Sequence, residues 1–161
     1  MNWDDKQTVL KKVKKNGLTL YRASKRLRDD EEIVLAAVKK NGLELFHASE
    51  RLRDNKEIVL VAVKNNGWVV AVASPRLQDN KEIVLTAIKQ DAKTLKYASA
   101  RLRDDEEIVR EALKKNVYMM KYASERIQKD ENILKDIPKY VFADFQKYMF
   151  ARTQKERRGK K

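Results

Sequence analysis

The chain has 161 residues, 42% of them apolar and 38% charged, with two prolines, four glycines and no cysteine. That composition suits a charged helical protein with enough apolar material for a core, and it excludes disulfides, thiolate metal sites and cysteine nucleophiles. The net charge of +13 is uneven: residues 1–28 hold nine basic and two acidic side chains, residues 29–138 twenty of each, and residues 139–161 eight basic and two acidic.

A body that tracks a phosphate backbone is expected to carry positive charge along its length. Here the sequence places the excess at the two ends. The candidate anion-binding residues are therefore Lys11, Lys12, Lys15 and Arg22 near the start, and Arg152, Lys155, Arg157, Arg158, Lys160 and Lys161 near the end. Nothing near Met1 has the apolar centre of a signal peptide. The longest apolar run, Trp68 to Ala73, falls far short of the roughly 20 residues of a membrane span. The expected location is intracellular, either cytoplasmic or, for a parasite or virus protein, inside a host cell.

Ile33, Ile58, Ile83, Ile108 and Ile133 recur every 25 residues, so one small unit is repeated. Each unit opens on an aspartate followed three residues later by Gln or Glu: Asp4 and Gln7, Asp29 and Glu32, Asp54 and Glu57, Asp79 and Glu82, Asp104 and Glu107. These read as capping boxes at helix starts, with Trp3 as a staple before the first. An apolar stripe follows, Ile33, Val34, Ala37 and Val38 in the second unit, on one face of a helix of about ten residues. The facing column Lys11, Ala36, Val61, Thr86, Glu111 varies freely and marks an outer face. Lys14, Lys39, Lys64, Lys89 and Lys114 fall in the last turn, where a cation suits the helix dipole.

Asn16-Gly17, Asn41-Gly42 and Asn66-Gly67 read as helix stops with glycine at positive φ. Asp91-Ala92 and Asn116-Val117 lack the glycine, which predicts tighter or more continuous turns in units four and five. A second short helix is expected over stretches such as Leu43–Ala48, with a small alanine recurring at Ala23, Ala48, Ala73, Ala98 and Ala123. Ser-x-Arg-Leu comes next, and Pro75 after Ser74 predicts a new helical start at the serine, since serine and proline favour N-cap and N1. Leu52 and its equivalents should plug the core. Trp68–Ala73 has strand propensity, but the same columns elsewhere read as helix.

Past Lys129 the pattern decays. The expected organisation is five tandem 25-residue units over residues 1–130, a degenerate sixth repeat and capping helix over 131–150, and a basic flexible tail over 151–161. The fold class is all-α, a solenoid of short helix-turn-helix repeats with a C-terminal capping helix.

The phrase E-I-V-L-x-A-V-K-x-N-G followed by A-S-x-R-L-R-D resembles the domain-of-unknown-function 4116 family of tandem helical repeats. The resemblance covers residues 4–130 and departs at Pro75, at the missing glycines of units four and five, and in the sixth unit. It implies a helical array, with members in protists, large viruses and some intracellular bacteria, and it implies no catalytic residue.

The residues themselves give no catalytic, cofactor or metal site. His47 stands alone in a column of Arg22, Val72, Tyr97 and Tyr122, and the recurring serines have no base. The arginine column Arg26, Arg51, Arg76, Arg101, Arg126 reads as a structural ladder paired with nearby aspartates, such as Asp54 and Asp79, or turn carbonyls; the alternative is an anion-binding row. Val61, Trp68, Val69, Val72, Tyr97 and Tyr122 are the candidate partner-binding residues. Together they form either an exposed patch suited to a protein or, for Trp68, a filler beside Ala71. The expected function is a non-catalytic scaffold for protein–protein interaction through a variable face, with nucleic-acid or anionic-surface binding by the basic ends as the alternative.

Overall fold

The computed structural model describes residues 2–16, 19–135, 137–138 and 147. Apart from Lys147, which is helical and exposed, the expected capping helix over 139–150, the tail and the first stop at Gly17 lie outside the described residues. Within them the chain is an all-α array of repeated units with no strand.

Each unit has three helical pieces rather than two. The long α-helices are Lys6–Asn16, Glu31–Lys40, Lys56–Asn65, Lys81–Gln90 and Glu106–Lys115. Each is followed by a 3-10 segment: Leu20–Arg22, Gly42–His47, Gly67–Val72, Ala92–Tyr97 and Val117–Tyr122. Four-residue α-helices close units two to five, at Glu50–Arg53, Pro75–Gln78, Ala100–Arg103 and Glu125–Gln128, and a 3-10 turn, Leu27–Asp29, closes the first. The helix Glu131–Leu134 opens the sixth unit. Long helices pack on long helices in sequence order, and 3-10 segments on 3-10 segments, so the units stack as two continuous layers. Ile33, Val34, Ala37, Val38, Leu45 and Leu52 are fully buried, and their equivalents repeat through the array. As Pro75 indicated, Ser74 caps a new helix with proline in its first turn.

The helix caps sit one residue later than expected. Asp30, Asn55, Asn80, Asp105 and Asp130 accept from the early backbone N–H groups, and Asp5 does so for the first helix. Asp4, Asp29, Asp54, Asp79 and Asp104 are therefore free for another role.

At the other end of each long helix, Asn41, Asn66, Asp91 and Asn116 leave the helix in extended backbone and turn their side chains onto the N–H two residues on. One Asx residue ends the α-helix and starts the 3-10 segment. This geometry is the same with glycine (Asn41, φ −148, ψ 109) and without it (Asp91, φ −142, ψ 116). The turns of units four and five are neither tighter nor more continuous than the others.

The glycines serve close approach rather than positive φ, which neither Gly42 nor Gly67 adopts. A Cβ on Gly42 would lie 2.4 Å from the carbonyl oxygen of Ala62 in the next long helix, and one on Gly67 2.9 Å from that of Ala87. The Gly42 N–H also donates to Asn65 Oδ1 at 2.9 Å, and that of Gly67 to Gln90 Oε1 at 2.8 Å. Gly42→Ala should therefore destabilise the array by about 1–3 kcal/mol, as overpacking against backbone does. A urea midpoint unchanged from the parent chain would refute the close contact.

Candidate interaction surface

The edge where short helices meet long helices repeats one constellation. Ser49 accepts from the Leu52 N–H as N-cap, and its hydroxyl donates to Asp29 of the preceding unit. Arg51 Nε donates to the same carboxylate at 3.0 Å and Nη2 to the Asp29 carbonyl at 2.7 Å, while the Ser49 N–H donates to the Arg28 carbonyl at 3.0 Å. The same set links Ser74 and Arg76 to Asp54, Ser99 and Arg101 to Asp79, and Ser124 and Arg126 to Asp104, and, with Nη2 making both guanidinium bonds, Ser24 and Arg26 to Asp4. The serine hydroxyl, and with it the guanidinium, holds each aspartate below its ordinary pKa of 3.8.

The first helical position adds a second set of links. Where it is lysine, the side chain reaches the next unit's first turn, as Lys6 does to Asp30 and Glu32 and Lys81 to Asp105 and Glu107. Where it is glutamate, as at Glu31 and Glu106, it joins the next unit's arginine. In this structure every arginine of the column is thus paired.

The 3-10 layer is different. Among the described residues the exposed large apolar side chains are Tyr21, Leu43, Phe46 and Tyr118, and all four lie on the 3-10 layer. Of the residues singled out from the sequence, Trp68, Val72, Tyr97 and Tyr122 are half-buried on that same layer. Val61 is half-buried on the long-helix layer, so it does not join them. Val69 is fully buried. It belongs to the core and cannot meet a partner.

Trp68 is neither a bare patch nor a simple filler. Its ring meets that of Tyr97 edge-on with centroids 6.1 Å apart, and its Nε1 donates to Asp91 Oδ2 at 3.1 Å. Lys96 Nζ lies over both rings, 5.1 Å from Trp68 and 4.7 Å from Tyr97. Arg22 covers Trp3 and Tyr21, and Lys121 covers Tyr122. His47 packs beside Tyr21 at 5.7 Å. Glu44 is buried behind this layer and accepts from the Leu20 N–H at 2.8 Å, and burial raises its pKa.

Charge is sorted by face as well as along the chain. The stretches 14–23, 39–48, 64–73, 89–98 and 114–123, which run from the long-helix C-ends through the 3-10 layer, carry twelve cationic and two anionic side chains. The rest of residues 1–138 carries seventeen cationic and twenty anionic. Basic character is therefore not confined to the ends. Of the end candidates, Lys11 and Lys15 are exposed, Lys12 is half-buried, and Arg22 sits on the 3-10 layer; Arg152, Lys155, Arg157, Arg158, Lys160 and Lys161 lie outside the described residues.

Among the described residues no group of His, Asp or Glu could hold a metal, and no helix is long and apolar enough to cross a membrane. A hollow of about 400 Å³ on the long-helix side is lined by Lys14, Glu32, Leu35, Ala36, Lys39 and Lys40. Its one carboxylate is already paired with Lys6.

The family model of a domain of unknown function (DUF4116) matches the chain five times in overlapping windows, at residues 5–53, 30–78, 55–103, 80–128 and 105–137. No curated protein and no solved structure matches the chain.

If the arginine row is structural, reversing charge in Arg51→Glu/Arg76→Glu lowers the melting temperature; unchanged melting combined with lost binding would turn it into a ligand row. The depressed aspartates set the sign of the acid response. Their folded pKa values lie below the unfolded ones, so their contribution is complete above the ordinary carboxylate value and disappears as pH falls through the lowered ones. Melting temperature should fall on acidification below about pH 4, and Asp54→Asn/Asp79→Asn should lose part of that dependence.

Proposed function

The chain belongs to the DUF4116 family, which brings no assigned chemistry, and we propose that it is a non-catalytic α-solenoid scaffold that binds a protein partner through the exposed face of its 3-10 layer. One observation carries this reading. Tyr21, Leu43, Phe46 and Tyr118 are exposed on one layer of the stack, with Trp68, Tyr97 and Tyr122 half-buried among them. Scattered apolar residues on a surface need no explanation, whereas a run of them on one face marks a binding surface, and aromatic residues supply much of the binding energy at such surfaces. The polar columns of the unit are already occupied in capping and in joining neighbours, which supports the non-catalytic reading.

Affinity capture from the source cell with the full chain tests this. Phe46→Ser/Tyr118→Ser should reduce captured partner at least tenfold at unchanged melting temperature, and Glu57→Ala on the long-helix side should not. Equal capture by both variants would move the interface elsewhere.

The second reading, anionic-surface or nucleic-acid binding by the basic ends, is favoured by the exposure of Lys11 and Lys15 and by the excess of basic residues over 139–161. Under it, removing residues 151–161 causes a large, salt-sensitive loss of heparin retention. Retention that persists after the truncation counts against it.

A further inference from the structure

We infer that the segment received by the 3-10 layer is an extended acidic peptide with an apolar middle, about a dozen residues long. This rests on the proposed interaction face and adds the chemistry of its occupant.

Three features of the layer specify that occupant. The first is charge. Arg22, Lys93, Lys96 and Lys121 project from the 3-10 segments, and Lys14, Lys39, Lys64, Lys89 and Lys114 border them at the long-helix C-ends. The carboxylates of those stretches do not face solvent as free charges, since Glu44 is buried against Leu20 N–H and Asp91 is engaged by Trp68 Nε1 and Lys93 N–H. Glu111 pairs with Lys114, and Lys56, joined by Lys64, lowers the Glu82 pKa, but the stretches themselves hold twelve cations against two anions, so the 3-10 side keeps a net positive sign.

The second feature is distribution. The segments Gly42–His47 and Gly67–Val72 contain neither lysine nor arginine and present Leu43, Phe46, Trp68 and Val72, while the cations of the layer flank them in the first, fourth and fifth units. An apolar centre between basic flanks matches a peptide with an apolar centre between acidic flanks.

The third feature is preorganisation. Arg22, Lys96 and Lys121 are held over the rings of their own layer, so ordering them is not left to the binding step. Those cations also occupy faces of Trp68, Tyr97 and Tyr122 on which bases would stack. Helix layers about 10 Å apart give roughly 40 Å across five units, a length that about a dozen extended residues cover.

The test is selection of a displayed random twelve-residue peptide library on the immobilised full chain, followed by fluorescence anisotropy of the selected peptides and of a thymidine dodecanucleotide. The inference expects selected peptides rich in Asp and Glu around an apolar middle, with affinity that falls as salt rises. Lys93→Glu/Lys96→Glu and, separately, Phe46→Ser should each weaken them at least tenfold, with circular dichroism confirming that both variants remain folded. Neutral or basic peptides that still depend on Phe46 overturn the acidic assignment and leave the interaction face standing. Tighter binding of the oligonucleotide, indifferent to Phe46→Ser, overturns the inference in favour of nucleic acid. Retention of no peptide also overturns it, and the capture experiment then decides separately whether the face binds a folded surface.

Discussion

The carboxylate that closes each junction governs how this chain can be built. Asp54 accepts from the Ser74 hydroxyl and the Arg76 guanidinium of the next unit, and its carbonyl takes a second guanidinium bond. The arginine side chains of these pairs are more than half exposed, and exposed ion pairs add little stability individually. Burial of Ile, Val, Leu and Ala at zero or near-zero exposure supplies the favourable free energy. An apolar stripe tolerates sliding, however, whereas a serine that must cap its own helix and also reach one carboxylate does not. The clamp thus fixes how one unit sits on the next, and the order of the 3-10 layer follows from it.

Much of this was legible in the sequence, because the features involved are periodic. The isoleucine period set the unit, and Pro75 located the start of the short helix through its fixed φ and missing N–H. The cap position was misread because Asp29-Asp30 offers two carboxylates. The signal was nonetheless present. Column 30, 55, 80, 105, 130 is Asp or Asn throughout, whereas column 29, 54, 79, 104, 129 ends in Lys129. A lysine cannot cap a helix N-terminus, and it falls where Ser-x-Arg no longer follows and no clamp is needed.

The exposed row Leu43, Phe46 and Tyr118 was missed for a different reason. Reading the second half of the unit with 3.6 residues per turn picks out one outer column, the one containing His47. In a 3-10 helix residues i and i+3 eclipse, so Leu43 aligns with Phe46, Lys93 with Lys96 and Tyr118 with Lys121. The Asx residue that ends each long helix starts the tighter winding, and that role becomes visible only once its backbone is seen in the extended region. Gly42 was misread likewise. Its requirement comes from Ala62 in the next unit, a neighbour that local sequence does not name.

The electrical asymmetry of the array begins as a stability requirement. Successive units follow the same path, so their long helices run in the same direction and stack their N-ends on one edge and their C-ends on the other. Aligned dipoles side by side favour acids at the first edge and cations at the second, which accounts for Glu32, Glu57, Glu82 and Glu107 on one side and Lys39, Lys64, Lys89 and Lys114 on the other. That reasoning stops at the helix ends. It does not account for Lys96 and Lys121, which lie in the last turns of their 3-10 segments, nor for aromatic rings left at the surface beside them. Stacking needs the lysine border, and the further cations and rings of the 3-10 layer are what stacking leaves unexplained. Those residues are where selection for a partner would act.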